Sequence, residues 1–276
     1  MCREGDISSM DIHSTAVIDT NAVIGENNVI GPHVVIEGPV RIGNDNRIGP
    51  GTIITGYTEI GDNNEISGQV YIGNNPQDVT FQGGETYVKI GNNNIIREFV
   101  NIHRGTKPRT STVIGNQNFL MVGVHIAHNC LIGSNIIMVN GASLGGYCEV
   151  YDHAFLSAYV IVHQFTRIGH YSICGILTKV TKDIPPFMMV DGNPSLVRGI
   201  NLVGLKRKGF DASRRESIRT AYKILYRKGY SLTHALQELK LMGDSDDISL
   251  LIDFIESSKR GILLKAPKSS TYTPEE

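Results

Sequence analysis

The stretch that decides the fold spans residues 17–48 and reads VIDTNAVIGENNVIGPHVVIEGPVRIGNDNRI. Isoleucine occurs there at every sixth position, and this spacing holds without a break from position 12 to position 72. Apolar residues resume the series later, at Ile90, Ile96, Ile102, Ile114, Leu120, Ile126, Ile132, Met138, Leu144, Val150, Leu156, Val162, Ile168, Cys174 and Val180. A period of six does not fit an α-helix, but it fits very short strands joined by turns at a fixed spacing. The repeat therefore predicts a β-solenoid.

A slower period gives the size of one coil. Aliphatic-glycine pairs recur every 18 residues, at Ile24-Gly25, Ile42-Gly43 and Ile60-Gly61, so three hexads make one turn. The pair returns late at Ile90-Gly91 and again at Ile114-Gly115. This delay predicts two insertions that bulge out of the solenoid, within residues 73–89 and 103–113. Glycine and asparagine suit the corners because both accept a positive φ.

The predicted interior is narrow. The residue four positions after each anchor is small or slim, and we expect it to face inward; examples are Asn28, Asn46, Asn64, Thr106 and Cys130. Such a core explains a chain with 30 glycines, no tryptophan and only 7% aromatic residues. We expect the repeat to end near Pro185-Pro186, because two successive imides lack the N–H groups of a strand ladder.

A change of pattern near residue 200 predicts a second domain. From Asn201 onward the apolar residues recur at helical spacing, and Asp211 or Ser213 and then Ser231 supply helix caps. We therefore predict a solenoid domain over 10–190, a C-terminal helical domain over 200–264 and a disordered tail over 265–276.

Charge and hydropathy limit the partners. The 26 basic and 27 acidic residues give a formal net charge of −1, so no broad basic field exists to bind nucleic acid. No apolar run approaches the roughly 20 residues of a transmembrane helix, and the polar first residues show no signal region. We expect a cytoplasmic protein with no transmembrane segment and no nucleic-acid partner.

The register also gathers histidines. Ile102, Ile126, Leu144 and Val162 fall in one column once the second insertion is subtracted, so the residues after them stack on one edge with coils about 4.8 Å apart. That edge carries His103 and Arg104, then His128, then Gly146 and Tyr147, then His163 and Gln164, with His125 three residues before His128. Such convergence marks a candidate site.

Two chemistries fit this edge. Histidine, with an unperturbed pKa of about 6.5, suits a general base, and His128 lies in the middle. The backbone N–H of Gly146 on the next coil is a candidate oxyanion donor. Alternatively, three histidines are able to hold zinc with one open position. The spacing alone leaves both possibilities open.

Longer motifs carry a resemblance that covers residues 10 to 262. They are Asn75-Pro76-Gln77-Asp78, Ile96-Arg97-Glu98, Ile102-His103-Arg104-Gly105-Thr106, His125-Ile126-Ala127-His128-Asn129-Cys130, Val162-His163-Gln164-Phe165, Asp183-Ile184-Pro185-Pro186 and Gly204-Leu205-Lys206-Arg207-Lys208-Gly209-Phe210. In this order they resemble the acyl-carrier-protein-dependent UDP-N-acetylglucosamine O-acyltransferases, which start lipid A synthesis. The resemblance implies a mainly β fold, a left-handed parallel β-helix of hexapeptide repeats with a C-terminal α-helical domain, in a homotrimer with active sites between subunits.

The resemblance also implies roles for residues. His128 matches the general base that deprotonates the sugar 3-hydroxyl, and the Gly146 amide matches the oxyanion donor. The substrate-binding matches are Asp78 and His125 for the sugar and His163, Gln164, Asn201, Arg207 and Lys208 near the nucleotide. The basic residues 206–208 suit an anionic carrier protein or a diphosphate. The implied donor is an (R)-3-hydroxyacyl thioester on the phosphopantetheine of acyl carrier protein, with no other cofactor and no metal.

Several positions depart from the family pattern. Tyr147 stands where histidine is common, Thr80 where lysine is common and Asn129 where an aspartate is often found. Ile176 stands where long-chain members have glycine, and its sec-butyl group predicts a shorter acyl chain. An acceptor with a 3-amine instead of the 3-hydroxyl stays open, as does a metal-dependent hydratase of the γ-carbonic-anhydrase type. A non-catalytic scaffold is the third class of function considered.

Overall fold

The computed structural model describes residues 11–243 and 245–266. Three sheets run the length of the solenoid, and each coil contributes one short parallel strand to each sheet. Sheet A comprises β1 (Asp11–Ile12), β4 (Val29–Ile30), β7 (Arg47–Ile48), β10 (Glu65–Ile66), β13 (Ile95–Ile96), β16 (Phe119–Leu120), β19 (Ile137–Met138), β22 (Phe155–Leu156), β25 (Ile173–Cys174), β27 (Met188–Asp191) and the antiparallel β28 (Leu196–Ile200).

The other two sheets have the same construction. Sheet B comprises β2 (Val17–Ile18), β5 (Val35–Glu37), β8 (Ile53–Thr55), β11 (Tyr71–Asn74), β14 (Asn101–His103), β17 (His125–Ile126), β20 (Ser143–Leu144), β23 (Ile161–Val162) and β26 (Lys179–Val180). Sheet C comprises β3 (Val23–Ile24), β6 (Arg41–Ile42), β9 (Tyr57–Ile60), β12 (Tyr87–Ile90), β15 (Ser111–Ile114), β18 (Leu131–Ile132), β21 (Glu149–Val150) and β24 (Arg167–Ile168). The predicted left-handed parallel β-helix with hexapeptide repeats is confirmed.

The six-residue anchors form the core. Ile102 pairs with Ile126, Ile126 with Leu144 and Leu144 with Val162, so anchors stack directly between coils. Every anchor from Ile30 to Val180 is buried, whereas Ile12 in the first described coil is 40% exposed. Burial of each such side chain contributes about 1.5–3 kcal/mol. The interior is thus a stack of aliphatic layers.

Asparagines hold the corners between sheets C and A. Asn28, Asn46, Asn64, Asn94 and Asn118 are all buried, and each side-chain oxygen accepts a hydrogen bond from a backbone N–H of the following coil. The Asn46 side chain also donates to the Gly61 carbonyl at 2.9 Å. These amides satisfy corner groups that no strand ladder reaches. The predicted inward asparagines therefore form a polar ladder inside an apolar core.

Two loops interrupt the solenoid where sheet B passes to sheet C. The first spans 75–86, between β11 and β12, and the second spans 104–110, between β14 and β15. Thr106 lies in the second loop and is only half-buried, so its assignment to the interior was wrong. The buried Thr112 occupies the inward position instead, because the extra residues shift the register.

The predicted end of the ladder at Pro185-Pro186 was also wrong. Strand β27 follows the two prolines and pairs in parallel with β25, Ile173 opposite Met189. The prolines lie between the isolated bridge at Ile184 and β27, where their missing N–H groups cost no ladder hydrogen bond.

The C-terminal part is helical. It comprises α1 (Leu202–Arg207), α2 (Ala212–Tyr226), α3 (Leu232–Lys240) and α4 (Asp246–Glu256), capped by the side chains of Asn201, Asp211, Ser231 and Ser245. Beyond α4 the chain returns to the β-helix, where Ile262 bridges to Asp183 and the Lys265 carbonyl accepts a hydrogen bond from the Val197 N–H. Residues 267–276 of the predicted disordered tail lie outside the described residues.

We predict that Asn46→Leu lowers the free energy of unfolding by about 2–4 kcal/mol, because the Gly61 carbonyl and the Asn64 N–H lose their buried partner. Asn44→Leu is the matched control: the Asn44 side chain accepts a hydrogen bond from the Glu26 N–H but is exposed, so water replaces it. The control should cost less than about 1 kcal/mol. Chemical denaturation of the full chain measures both, and equal losses would contradict the proposed ladder.

Candidate active site

The predicted histidine stripe lies on one edge of the β-helix. We call this the histidine edge and define it as the corner residues 103–110, 127–130, 145–148 and 163–166, where the chain leaves sheet B for sheet C. His128, Gly146 and His163 lie on three successive coils of this edge, as the register predicts. The loop 75–86 starts from the same edge, one coil before His103.

His128 is half-buried, and the amide of Asn129 fixes its ring. The Nδ1 atom of His128 lies 3.0 Å from Asn129 Oδ1, and the backbone N–H of Thr106 donates to the same oxygen at 3.0 Å. A backbone N–H only donates, so the Asn129 atom that faces it must be the oxygen. Because this oxygen only accepts, Nδ1 of His128 must carry a proton. In the neutral ring, Nε2 is then the basic atom.

Gly146 lies directly against that basic atom. A β-carbon on Gly146 would stand 2.4 Å from Cε1 and 2.6 Å from Nε2 of His128, so only glycine leaves room for the ring. In the described part of the chain, the Gly146 N–H makes no hydrogen bond. A free backbone donor therefore lies beside a free ring nitrogen, as general-base chemistry with oxyanion stabilisation requires.

Two further imidazoles flank His128. The rings of His103 and His125 meet edge to face, with centroids 5.3 Å apart. Burial lowers the pKa of both, although the hydrogen bond from His103 Nδ1 to the Asn75 carbonyl opposes the effect at His103. Both rings are therefore neutral near pH 7. His103 is 4% exposed, because loop 75–86 covers it, and its Nε2 atom lacks a partner among residues 11–243 and 245–266.

Asp78 brings a carboxylate to the site from loop 75–86. Its Oδ1 atom accepts hydrogen bonds from the Thr80 N–H at 2.9 Å and the Thr80 hydroxyl at 2.8 Å. These bonds lower the pKa of Asp78, and attraction to His128 lowers it further. Thr80, one of the departures from the family pattern, thus holds the Asp78 carboxylate in place.

The next coil carries His163 and Gln164, both exposed. Arg260 reaches back from the segment after α4, with its Nη2 atom 3.0 Å from His163 Nδ1 and its Nε–H donating to the Thr181 carbonyl at 2.8 Å. Between this edge and the C-terminal segment lies a cleft of about 650 Å³, lined among others by Asn129, Tyr147, Arg167, Lys259 and Arg260. The sequence analysis missed Arg260, since it lies 97 residues from His163 and outside the repeat.

The remaining predicted residues lie elsewhere on the same chain. Ile176, 60% exposed, sits on the edge between sheets A and B. Asn201 caps α1 by accepting from the Gly204 N–H, and its amide donates to the Tyr171 carbonyl near the edge between sheets C and A. Arg207 and Lys208 are exposed at the end of α1. One chain therefore brings together His128, Gly146, Asp78 and His125 but not these four residues.

Among residues 11–243 and 245–266, no three His, Cys, Asp or Glu side chains are grouped as a metal site would require. Cys130, Cys148 and Cys174 are buried free thiols of the interior column. No helix within the described ranges is long and apolar enough to cross a membrane.

Two family models match the chain. Residues 183–263 match the second domain of UDP-N-acetylglucosamine O-acyltransferases, and residues 39–74 match the bacterial transferase hexapeptide repeat. The first match covers the helical part together with the last coil. The second falls within the solenoid and agrees with the six-residue series.

Whole-length relatives agree with these models. The chain is 47% identical over 254 residues to the acyl-(acyl-carrier-protein)–UDP-N-acetylglucosamine O-acyltransferase of Aliivibrio salmonicida, covering 91% of this chain and 97% of the relative. It is 45% identical to the enzyme of the same name from Thiobacillus denitrificans, with 91% and 98% covered. The structure of the Francisella novicida UDP-N-acetylglucosamine acyltransferase superposes with a TM-score of 0.89 at 40% identity, covering 95% of this chain and 97% of that chain. The Bacteroides fragilis structure gives 0.88 at 40% identity, with 91% and 99% covered.

Proposed function

The chain belongs to the family of acyl-(acyl-carrier-protein)–UDP-N-acetylglucosamine O-acyltransferases, and we propose that it moves an (R)-3-hydroxyacyl group from acyl carrier protein to the 3-hydroxyl of UDP-N-acetylglucosamine, the first step of lipid A synthesis. The observation that carries the mechanism is the pairing of a bare His128 Nε2 with a free Gly146 N–H on the adjacent coil. Family membership favours this reaction over the metal-dependent hydration considered from the sequence.

The proposed step needs one base and one donor. Nε2 of His128 takes the proton of the sugar 3-hydroxyl while the oxygen attacks the thioester carbonyl, and the Gly146 N–H binds the resulting oxyanion. Collapse of this intermediate breaks the carbon–sulfur bond, and the phosphopantetheine thiolate takes the proton from His128. General-base catalysis contributes about 10²–10⁴-fold, and one oxyanion donor about 10²–10³-fold.

The surroundings of His128 support an acceptor with hydroxyl groups and phosphates. The Asp78 carboxylate, oriented by Thr80, is a strong acceptor for sugar hydroxyls and lies close enough to interact with His128. Lys259 and Arg260 line the adjacent cleft and supply cations for a diphosphate near His163. The neutral His103 and His125 leave room for hydrogen bonds to the sugar without adding charge.

The distribution of the other residues supports a site shared between subunits. Ile176, Asn201, Arg207 and Lys208 lie on edges away from His128, so a site that uses them requires a second copy of the chain. Exposed apolar side chains next to Ile176, namely Tyr159, Ile161 and Leu177, offer a surface for that copy to bury. A homotrimer in the cytoplasm, loaded by acyl carrier protein, is the assembly we propose.

We predict that His128→Ala lowers kcat for hydroxyacyl transfer by about 10²–10⁴-fold. Mass spectrometry with purified hydroxyacyl carrier proteins, UDP-N-acetylglucosamine and its 3-amino analogue measures the reaction and the acceptor together. His13→Ala, at an exposed histidine in the first described coil, is the matched control and should turn over like the wild type. Undiminished transfer by His128→Ala would refute the assignment of the base. A strict zinc requirement would instead favour the hydratase alternative.

We predict that the wild type prefers a ten-carbon over a fourteen-carbon hydroxyacyl donor, because the exposed Ile176 side chain shortens the acyl groove. The series Ile176→Val, Ile176→Ala and Ile176→Gly should shift the preference stepwise toward the longer donor as the side chain shrinks. A competition assay with equimolar donors measures the ratio of kcat/KM. A ratio that stays constant along the series would show that Ile176 does not set chain length.

A further inference from the structure

A second set of hydrogen bonds lies behind the pair His128 and Asn129. The hydroxyl of Thr106 is 3.0 Å from Asn129 Oδ1, and the hydroxyl of Tyr147 is 3.1 Å from Thr106 Oγ1. The Tyr147 ring meets the His128 ring edge to face at 5.3 Å and stacks on Phe165 at 5.0 Å. These contacts tie loop 104–110 to two successive coils at the site. The mechanism proposed above uses neither hydroxyl.

The direction of each hydrogen bond follows from the available protons. Asn129 Oδ1 only accepts, so the Thr106 hydroxyl must give its single proton to that oxygen for the contact to be favourable. Thr106 Oγ1 is then an acceptor, and the Tyr147 hydroxyl donates to it. Three donors, namely the Thr106 N–H, the Thr106 hydroxyl and His128 Nδ1–H, thus converge on one amide oxygen.

An asparagine needs such help where a carboxylate would not. A carboxylate presents an oxygen whichever way it turns, whereas an amide rotated by half a turn presents an NH₂ group. A rotated Asn129 would donate to Nδ1 of His128, and that ring would carry its proton on Nε2. A ring protonated on Nε2 has no lone pair there to accept a proton from the sugar hydroxyl. Whatever keeps the Asn129 oxygen in place therefore keeps His128 basic.

We infer that Thr106 and Tyr147 are positioning residues, which hold the Asn129 amide in the orientation that leaves His128 Nε2 unprotonated. The kinetic part of this inference rests on the proposed function, whereas the tautomer of His128 does not. Tyr147 stands where relatives commonly have histidine and Asn129 where aspartate is often found, so the two departures act together in this chain.

The tautomer is observable without any reaction. Nitrogen NMR of protein labelled with ¹⁵N-histidine distinguishes protonated from bare ring nitrogens, and loss of signals in His128→Ala identifies those of His128. We expect the wild type to show a protonated Nδ1 and a bare Nε2. Thr106→Val removes the hydroxyl and keeps the shape, and it should populate the other tautomer. Thr106→Ser restores the hydroxyl and should restore the wild-type spectrum. A Thr106→Val spectrum identical to wild type would overturn the inference.

Kinetics separate positioning from direct substrate contact. Thr106→Val should lower kcat roughly three- to tenfold, the loss of one hydrogen bond, with KM unchanged. Tyr147→Phe should lower kcat by less, since the Thr106 hydroxyl keeps its bond to Asn129. The double variant should match Thr106→Val alone, because the Tyr147 hydroxyl acts only through Thr106. Multiplying effects with a raised KM would mean that Tyr147 binds substrate, which contradicts the inference.

The Asn129→Asp background gives the sharpest comparison. With a carboxylate there is no wrong orientation to exclude, so the kcat penalty of Thr106→Val should fall to less than about twofold. An equal penalty in both backgrounds would contradict a role in orienting the amide. Should the chain show no acyl transfer with any donor, the proposed function fails, yet the NMR result still decides the orientation of Asn129.

Discussion

The structure depends on in-register stacking of 18-residue coils. Each short strand pairs in parallel with the strand one coil away, and the anchors meet directly, as Ile126 does with Leu144. A two-residue strand has no stability by itself, so each coil is held by the coil before and the coil after it. The same register that closes the core also places equivalent corner residues above one another. His128 and the glycine beside it, 18 residues later, come together for this reason.

Much of this arrangement follows from the sequence because it is periodic. The six-residue series predicts the anchors, the coil size and the edge that carries His128, Gly146 and His163. The features that the sequence does not reveal lie where the period is broken. Thr106 falls in an insertion, so counting by hexads assigned it to the core, and Arg260 approaches His163 from a segment outside the repeat. The two prolines were misjudged because a corner, unlike a strand, does not need their N–H groups.

The chemistry at the histidine edge depends on hydrogen bonds more than on charge. Asn129 is neutral, His103 and His125 are kept neutral by burial, and the carboxylate of Asp78 is held from loop 75–86. In the proposed mechanism, the neutral amide fixes the tautomer of the base without adding a charge to stabilise its protonated form. The loops therefore do more than cover the solenoid, since they supply Thr106 and Asp78 to an otherwise repetitive edge.

The contact between His128 and Gly146 is where the fold meets the proposed chemistry, and Gly146→Ala tests it most directly. A β-carbon there would collide with the His128 ring, so kcat for hydroxyacyl transfer should fall by roughly 100-fold or more while the protein stays folded. Gly199→Ala is the matched control, since the nearest atom to its β-carbon, Met189 Cε, lies at 3.9 Å, and it should react like the wild type. A folded Gly146→Ala variant with wild-type turnover would contradict the account.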